Sequence, residues 1–236
     1  MLVLETLGLR WFAVAFLAAL LWAAWPEGGA HRAFRFLAIA ALASFAAEFS
    51  STHTGFPYGD YAYVADTRGR ELYLANIPAF VPLSFGSVVY AGRALVRGTA
   101  IARTHTGLVL GSAAAATMLD LVIDPITLQG DRWFLGSLYA YGSGGPWFDV
   151  PLSNFGGWIL VSSVIVALDE ALARGDRRDA PSLRGRVLAM GICVFFVVLG
   201  LWLRDWAAAG AGAGITLLVA LLAFAVPRDR PAARSP

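Results

Sequence analysis

The sequence has few charged residues and no lysine. Only 14% of its 236 residues are charged, against about 25% in a soluble domain, and all 18 basic residues are arginine. Hydrophobic residues make up 58% of the chain, and the mean hydropathy is +0.65. This balance excludes an ordinary soluble domain and predicts an integral membrane protein. The absence of lysine also excludes a seven-helix retinal protein, because such a protein needs a lysine for its Schiff base.

Cysteine and histidine are scarce as well. The single cysteine, Cys193, lies in an apolar run, so an intramolecular disulfide is excluded. The three histidines are His31, His53 and His105, and the topology derived below places only His53 on the outer face. A metal site built from several histidines is therefore not expected, and we predict no metal and no organic cofactor.

Apolar segments recur along the chain at lengths close to the ~20 residues that cross a bilayer. They predict an all-α, polytopic membrane protein with about seven transmembrane helices. The whole chain, 1–236, is interpreted as one integral membrane domain with a short Arg/Pro tail at about 227–236. The predicted spans are 8–25, 33–50, 73–96, 105–123, 154–173, 187–204 and 207–226.

The arginines are distributed unevenly between the two sides of the predicted membrane. Thirteen of the 18 flank one set of connections and the tail, and five flank the other set. The positive-inside rule then places the tail in the cytoplasm and the N-terminus outside the cell membrane. The two longest connections, 51–72 and 124–153, fall on the outer face and are rich in aromatic residues, glycine and proline. Loops of this length are usually functional or well packed.

Three carboxylates near the ends of predicted spans approach this outer face: Glu48, Asp120 and Asp124. Ionisable groups inside a membrane are functional candidates because burying them is costly. The four-residue spacing puts both aspartates on one helix face, where like charges repel and one carboxyl tends to keep its proton. A protonated carboxyl in an apolar cavity can act as a general acid. In the alternative interpretation, Asp124 ends the helix before Pro125 and Asp120 bonds to a neighbouring helix.

Other polar residues give weaker indications. His53 is either a proton shuttle or a loop residue that makes a hydrogen bond. Tyr58 and Tyr61 suit either a site or an interfacial aromatic belt, and Asn154 suits either a cap or a polar contact between helices. Asp169 and Glu170 are interpreted as a solvated ion-pair cluster with the arginines of the next connection, namely Arg174, Arg177 and Arg178.

Four short motifs occur in order: "GFPYGDYAY", "NIPAFVPLSF", "DLVIDP" and "VPLSNFGGW". Over about 45–175 the sequence resembles the carotenoid biosynthesis protein family, which includes carotenoid hydratases. The resemblance implies a polytopic membrane protein that adds water across a terminal isoprenoid double bond of an acyclic carotenoid. It implies a lipid-soluble carotenoid substrate and membrane lipids as partners, and other enzymes of carotenoid biosynthesis as further candidates. Nucleic acid is not expected as a partner.

The chemistry of hydration suggests roles for the candidate residues. A strong acid protonates the alkene, a tertiary carbocation forms, and water adds to give a tertiary alcohol. Asp120 and Asp124 are candidates for the acid and its partner, and Glu48 or Asp60 for positioning the water, with His53 relaying protons. Aromatic faces stabilise a cation. The predicted substrate-binding residues are Tyr58, Tyr61, Trp133, Asn154 and Trp158.

Several rival functions use the same residues. A carotenoid cyclase or isomerase needs the same acid and cation, and differs in whether water reaches the cation. A carotenoid-binding scaffold needs no catalysis, and a transporter would use the carboxylates as a proton relay. A membrane prenyltransferase is disfavoured because the chain has no second Asp-rich motif on the same side.

Overall fold

A computed structural model describes residues 1–173 and 181–225, and the described chain is mainly helical. Its helices are α1 (Leu2–Leu9), α2 (Trp11–Thr54), α3 (Phe80–Val96), α4 (His105–Thr127), α5 (Leu152–Leu172), α6 (Leu183–Trp202) and α7 (Trp206–Ala220). Within these residues, five helices are long and apolar enough to cross a membrane: α2, α4, α5, α6 and α7, the last extended to Phe224. The all-α, polytopic membrane architecture is confirmed, and the count of seven spans stays a prediction.

The 44-residue helix α2 consists of two arms. Its backbone leaves helical geometry at Gly28 and Gly29, and Gly29 has a φ of 70°, a left-handed value that favours glycine. Both arms pack against Gly86 of α3, through Leu20 of the first arm and Ala40 of the second. The chain therefore turns back at the glycine pair, as the break between the first two predicted spans implied.

The third predicted span, 73–96, began too early. Its first residues form strands β2 (Tyr73–Leu74) and β3 (Ile77–Pro78), which pair in antiparallel orientation, and α3 starts only at Phe80. Pro78 has no N–H to donate to a helix, which accounts for the extended start. At 17 residues, α3 is shorter than each of the five candidate membrane spans, of which the last runs from Trp206 to Phe224.

The helix α4 does not stop at Pro125 but continues to Thr127. Proline removes the N–H that would bond to the carbonyl four residues earlier, which is that of Leu121. The indole Nε1 of Trp147 donates to this carbonyl at 3.0 Å. A residue of the long connection between α4 and α5 thus replaces the missing helical bond and holds the connection against the helix.

The long connections cover one end of the bundle. Strand β1 (Tyr61–Tyr63) follows α2, strand β4 (Tyr139–Tyr141) follows α4, and the two strands pair in antiparallel orientation. Arg10, at the start of α2, forms a buried ion pair with Glu71 and donates to the carbonyl of Leu135 at 2.6 Å. These contacts bind both connections to the first arm of α2.

The opposite end of the bundle contains a buried cluster of ion pairs, which corrects the prediction of a solvated one. Asp169 exposes none of its surface and Glu170 only 4%. Arg93 of α3 pairs with both, and Arg35 of α2 pairs with Asp169 at 2.8 Å. Because a buried charge is costly unless it is paired, these buried carboxylates need their arginine partners. The predicted partners Arg174, Arg177 and Arg178 lie outside the described residues.

Candidate active site

A cavity of about 150 Å³ lies among α2, α3, α4, α5 and α6, beneath the paired strands β1 and β4. Its walls are mainly apolar and aromatic, with contributions from Phe12 and Phe16 of α2, Phe85 of α3 and Phe196 of α6. All three carboxylates that the sequence singled out line it: Glu48, Asp120 and Asp124. The cavity therefore combines acidic groups with an apolar enclosure.

The two paired strands place four tyrosines on the same face. Tyr61 lies opposite Tyr141, and Tyr63 lies opposite Tyr139. Because side chains alternate along a strand, residues two apart point to the same side. The rings pack against one another, with centroids 5.7 Å apart for Tyr61 and Tyr141 and 6.4 Å apart for Tyr63 and Tyr139. We call this group the tyrosine quartet.

The hydroxyls of the tyrosine quartet point at two of the carboxylates. Tyr61 and Tyr63 both donate to Oε2 of Glu48, the second at 2.6 Å. Tyr139 donates to Oδ1 of Asp124 at 2.8 Å, and Tyr141 lies 3.5 Å from its Oδ2. The strands thus bring hydroxyl donors to acids that lie on two different helices.

Burial determines the charge state of these hydroxyls. It raises the pKa of all four tyrosines, and the nearby carboxylates raise the pKa further. The quartet therefore stays neutral across the physiological range. Its hydroxyls act as hydrogen-bond donors to Glu48 and Asp124.

Asn154, at the start of α5, connects the two aspartates of α4. Its Nδ2 donates to Oδ2 of Asp120 at 2.9 Å and to Oδ2 of Asp124 at 2.7 Å. The two aspartates differ in exposure, because Asp124 exposes 8% of its surface and Asp120 none. Glu48 exposes 7%. Of the three carboxyl groups that line the cavity, Glu48 and Asp124 therefore keep some accessible surface and Asp120 keeps none.

Aromatic rings form the wall beside the acids. Phe85 and Trp158 are stacked with centroids 3.9 Å apart, and Tyr58 packs 6.2 Å from Phe85. Four of the residues predicted to bind substrate line the cavity: Tyr58, Tyr61, Asn154 and Trp158. Such faces stabilise a nearby cation through their quadrupoles.

Three other predicted site residues lie elsewhere. Trp133 is outside the cavity lining, and its Nε1 donates to the carbonyl of Ile126 at 3.0 Å. His53 is exposed, with its Nδ1 2.7 Å from the carbonyl of Phe49. Asp60 is exposed as well and does not line the cavity. The structure therefore does not bring Trp133, His53 or Asp60 together with the acids.

The sequence reasoning missed Tyr139 and Tyr141 as partners of the acids. The signal was present, because "YAY" occurs once in each long connection, at 61–63 and at 139–141. In each of these loops the two tyrosines are two residues apart, so in a strand they point to the same face. Two such strands on one side of the membrane could therefore pair and direct their tyrosines at one site. Among the described residues, no group of three acidic, histidine or cysteine side chains is arranged to hold a metal ion.

Comparison with known proteins identifies the family. The chain matches the model described as "Carotenoid biosynthesis protein" over residues 8–225. It is similar to the bisanhydrobacterioruberin hydratase of Haloarcula japonica, with 30% identity over 194 residues, which is 76% of this chain. The match covers 62% of that curated relative, less than two thirds of its length. No solved structure matches the chain. The chain belongs to the carotenoid biosynthesis protein family.

Proposed function

We propose that the protein is a carotenoid hydratase, a hydro-lyase that adds water to a terminal isoprenoid double bond of an acyclic carotenoid and gives a tertiary alcohol. The observation that carries the proposal is that two carboxyl groups from different helices, Glu48 and Asp124, line the same aromatic cavity. Family membership and the similarity to a haloarchaeal protein named as a hydratase support the same chemistry. The reaction needs acid, base and water, and no redox partner.

Glu48 is the proton donor in this proposal. Its Oε2 accepts two tyrosine hydroxyls, whereas its Oε1 has no hydrogen bond within the described part of the chain. A carboxyl that holds its proton on Oε1 can transfer it to the less substituted carbon of the terminal trisubstituted alkene. The π electrons form the new C–H bond, and a tertiary carbocation remains beside the stacked rings of Phe85 and Trp158.

Asp124 is the base. It accepts hydrogen bonds from Tyr139, Tyr141, Thr127 and Asn154, a set of donors that stabilises a carboxylate. Water attacks the cation, and Asp124 takes the proton that the water loses as the C–O bond forms. The proton gained by Asp124 equals the one given by Glu48, and its return to Glu48 completes the addition of one water.

The size of the cavity fits one end of the substrate. An apolar cavity of about 150 Å³ can bind benzene, and an isoprene unit has one carbon fewer. The cavity continues from the acids toward Phe12 and Phe16 of α2 and Phe196 of α6. We propose that the terminal unit lies beside Glu48 and that the polyene extends along these aromatic residues toward the lipid.

Cyclisation of the same carotenoid end is the second candidate, because it begins with the same cation. The tyrosine quartet and Asn154 line the acidic end of the cavity, so polar groups are available to hold a water there. This polar lining favours hydration, whereas a dry aromatic wall would favour ring closure.

The test is expression in a host that makes acyclic carotenoids, followed by mass analysis of the pigments. We expect a product heavier by one water. Glu48→Gln and Asp124→Asn should each lower its formation about 10²- to 10⁴-fold, the usual contribution of a general acid or base. Protein levels in the membrane are measured in parallel.

Asp60→Asn is the matched control, because it makes the same chemical change at an exposed carboxylate outside the cavity. Its product yield should equal that of the unchanged protein, as should the yield of His53→Gln. A product of unchanged mass but altered chromatography would instead identify the cyclase or isomerase. If the pigments are unaltered in every strain, the hydratase proposal is wrong and a carotenoid-binding scaffold is the remaining hypothesis.

A further inference from the structure

Asp120 sits in an environment that cannot support a charge. The residue exposes none of its surface, and its Oδ2 accepts one hydrogen bond, from Asn154 at 2.9 Å. Its Oδ1 is enclosed and has no hydrogen-bond partner in the described chain. An ionised carboxylate buried with so little compensation costs several kcal/mol. A neutral carboxylic acid avoids most of this cost.

Asp124 lies one helical turn away in the opposite environment. Its two oxygens accept hydrogen bonds from four side chains on α4, α5 and β4: Tyr139, Tyr141, Thr127 and Asn154. It also keeps 8% of its surface accessible. Two carboxyl groups this close interact strongly, so the state in which only one of them is ionised is favoured. The four hydrogen-bond donors stabilise that negative charge on Asp124.

Asn154 fixes where the remaining proton lies. Its amide nitrogen has two hydrogens, and one points at Oδ2 of each aspartate. A proton on either Oδ2 would face the amide hydrogens and lose these bonds. The proton of the pair is therefore confined to Oδ1 of Asp120.

We propose that Asp120 keeps its proton throughout the reaction, and that Asn154 is a positioning residue that confines the negative charge of the pair to Asp124. Asp120 is then not a catalytic residue. Because Asp120 is neutral, it adds no second carboxylate beside Asp124 that would compete for the proton of Glu48. The kinetic test below rests on the proposed hydration, and the spectroscopic tests do not.

The kinetic test uses Asp120→Asn, because an amide has nearly the shape of a protonated carboxyl and carries no charge. We expect kcat to stay within about threefold of the unchanged protein, a difference of about 0.7 kcal/mol in the barrier. Asp124→Asn should lose about 10²-fold or more. If Asp120→Asn loses as much activity as Glu48→Gln, Asp120 delivers the proton and the proposal is wrong.

The spectroscopic test observes the proton itself by infrared difference spectroscopy of purified protein in lipid. A protonated carboxyl has a C=O stretching band that a carboxylate lacks. At neutral pH a band of Asp120 should be present beside that of protonated Glu48. The Asp120 band should disappear in Asp120→Asn and persist in Asp124→Asn. Persistence of every such band in Asp120→Asn would show that Asp120 is ionised and would overturn the proposal.

Asn154→Leu tests the positioning role. Among the residues that the structure describes, the substitution removes the only donor to Oδ2 of Asp120, so the C=O band of Asp120 should move to higher frequency. It also removes one donor from Asp124, and we expect a lower kcat with an unchanged KM. An unshifted band would mean that Asn154 does not order the pair. A chain that forms no hydrated product but shows this band pattern would refute the proposed hydration and leave the charge assignment intact.

Discussion

At the scale of single residues, close packing positions Tyr58 in the cavity wall. Its backbone N–H donates to Oγ of Ser51 at 2.9 Å, and its carbonyl accepts from Oγ of Ser153 at 3.1 Å. Its ring lies directly over Gly157 of α5, where an added Cβ would lie 2.3 Å from a ring carbon. Glycine at 157 is therefore required by the aromatic wall and not by the helix.

Gly157→Ala tests this contact, and Gly156→Ala is its matched control. The neighbouring Gly156 is exposed and has no atom within 4 Å of an added Cβ. We expect Gly157→Ala to lower the free energy of unfolding by about 1–3 kcal/mol through overpacking, and to reduce hydration by displacing Tyr58. Gly156→Ala should be neutral or stabilising by up to about 1 kcal/mol. Thermal unfolding in detergent measures the stability of each variant, and product yield measures its activity. Equal effects of the two variants would contradict the packing argument.

At the scale of structural elements, the two strands β1 and β4 do what a helix cannot do here. Each is only three residues long, with sequence Tyr-Ala-Tyr, and together they place four hydroxyls over acids from α2 and α4. The connections that carry them are held down by separate contacts. Trp147 bonds to the carbonyl of Leu121, and Arg10 bonds to that of Leu135. The roof of the cavity is thus assembled from two loops whose ends are fixed to helices.

The buried tyrosines of these strands predict how stability depends on pH. In the unfolded chain a tyrosine has a pKa of about 10, and in the folded protein burial and carboxylates raise the pKa of all four. Above about pH 10 the unfolded state therefore releases protons that the folded state retains. The contribution of the four tyrosines to the free energy of unfolding should be constant below this pH and fall above it, by up to about 1.4 kcal/mol per tyrosine for each pH unit.

Denaturant unfolding in detergent at a series of alkaline pH values measures this slope. The double variant Tyr61→Phe, Tyr141→Phe should fall less steeply than the unchanged protein, because two of the four groups can no longer release a proton. Equal slopes would show that these tyrosines titrate alike in both states.

The elements also show what the sequence could and could not reveal. Apolar length located the helices α4 to α7 to within a few residues, because a membrane span has a fixed thickness to cross. Asp120 and Asp124 could be chosen as candidate site residues from the sequence, because the cost of burying a charged group in an apolar segment is a local property. Their unequal environments depend on Asn154, Tyr139 and Tyr141, which reach them only through tertiary packing. His53 and Asp60 had the right chemistry, and the fold leaves both exposed.

At the scale of the whole molecule, the two ends of the bundle differ in composition. One end holds the paired strands, the long connections and the acidic end of the cavity. The other holds the turn of α2, the connection from α3 to α4, and the buried pairs of Arg93 with Asp169 and Glu170. Arginine is concentrated toward this second end, so the positive-inside rule predicts that it faces the cytoplasm. The tyrosine quartet and the acids then lie near the outer surface, and in the proposed reaction carotenoid and water would meet there.

Labelling with a membrane-impermeant maleimide tests this orientation, because the chain has a single cysteine. Cys193 is fully buried, and Cys193→Ser provides a cysteine-free background. Asp66→Cys places a thiol in the exposed connection before β2, and Ala100→Cys places one in the exposed connection after α3. In intact cells we expect Asp66→Cys to be labelled and Ala100→Cys to react only after the membrane is permeabilised. The reverse pattern would put the acidic end of the cavity on the cytoplasmic side, and the water for hydration would then come from the cytoplasm.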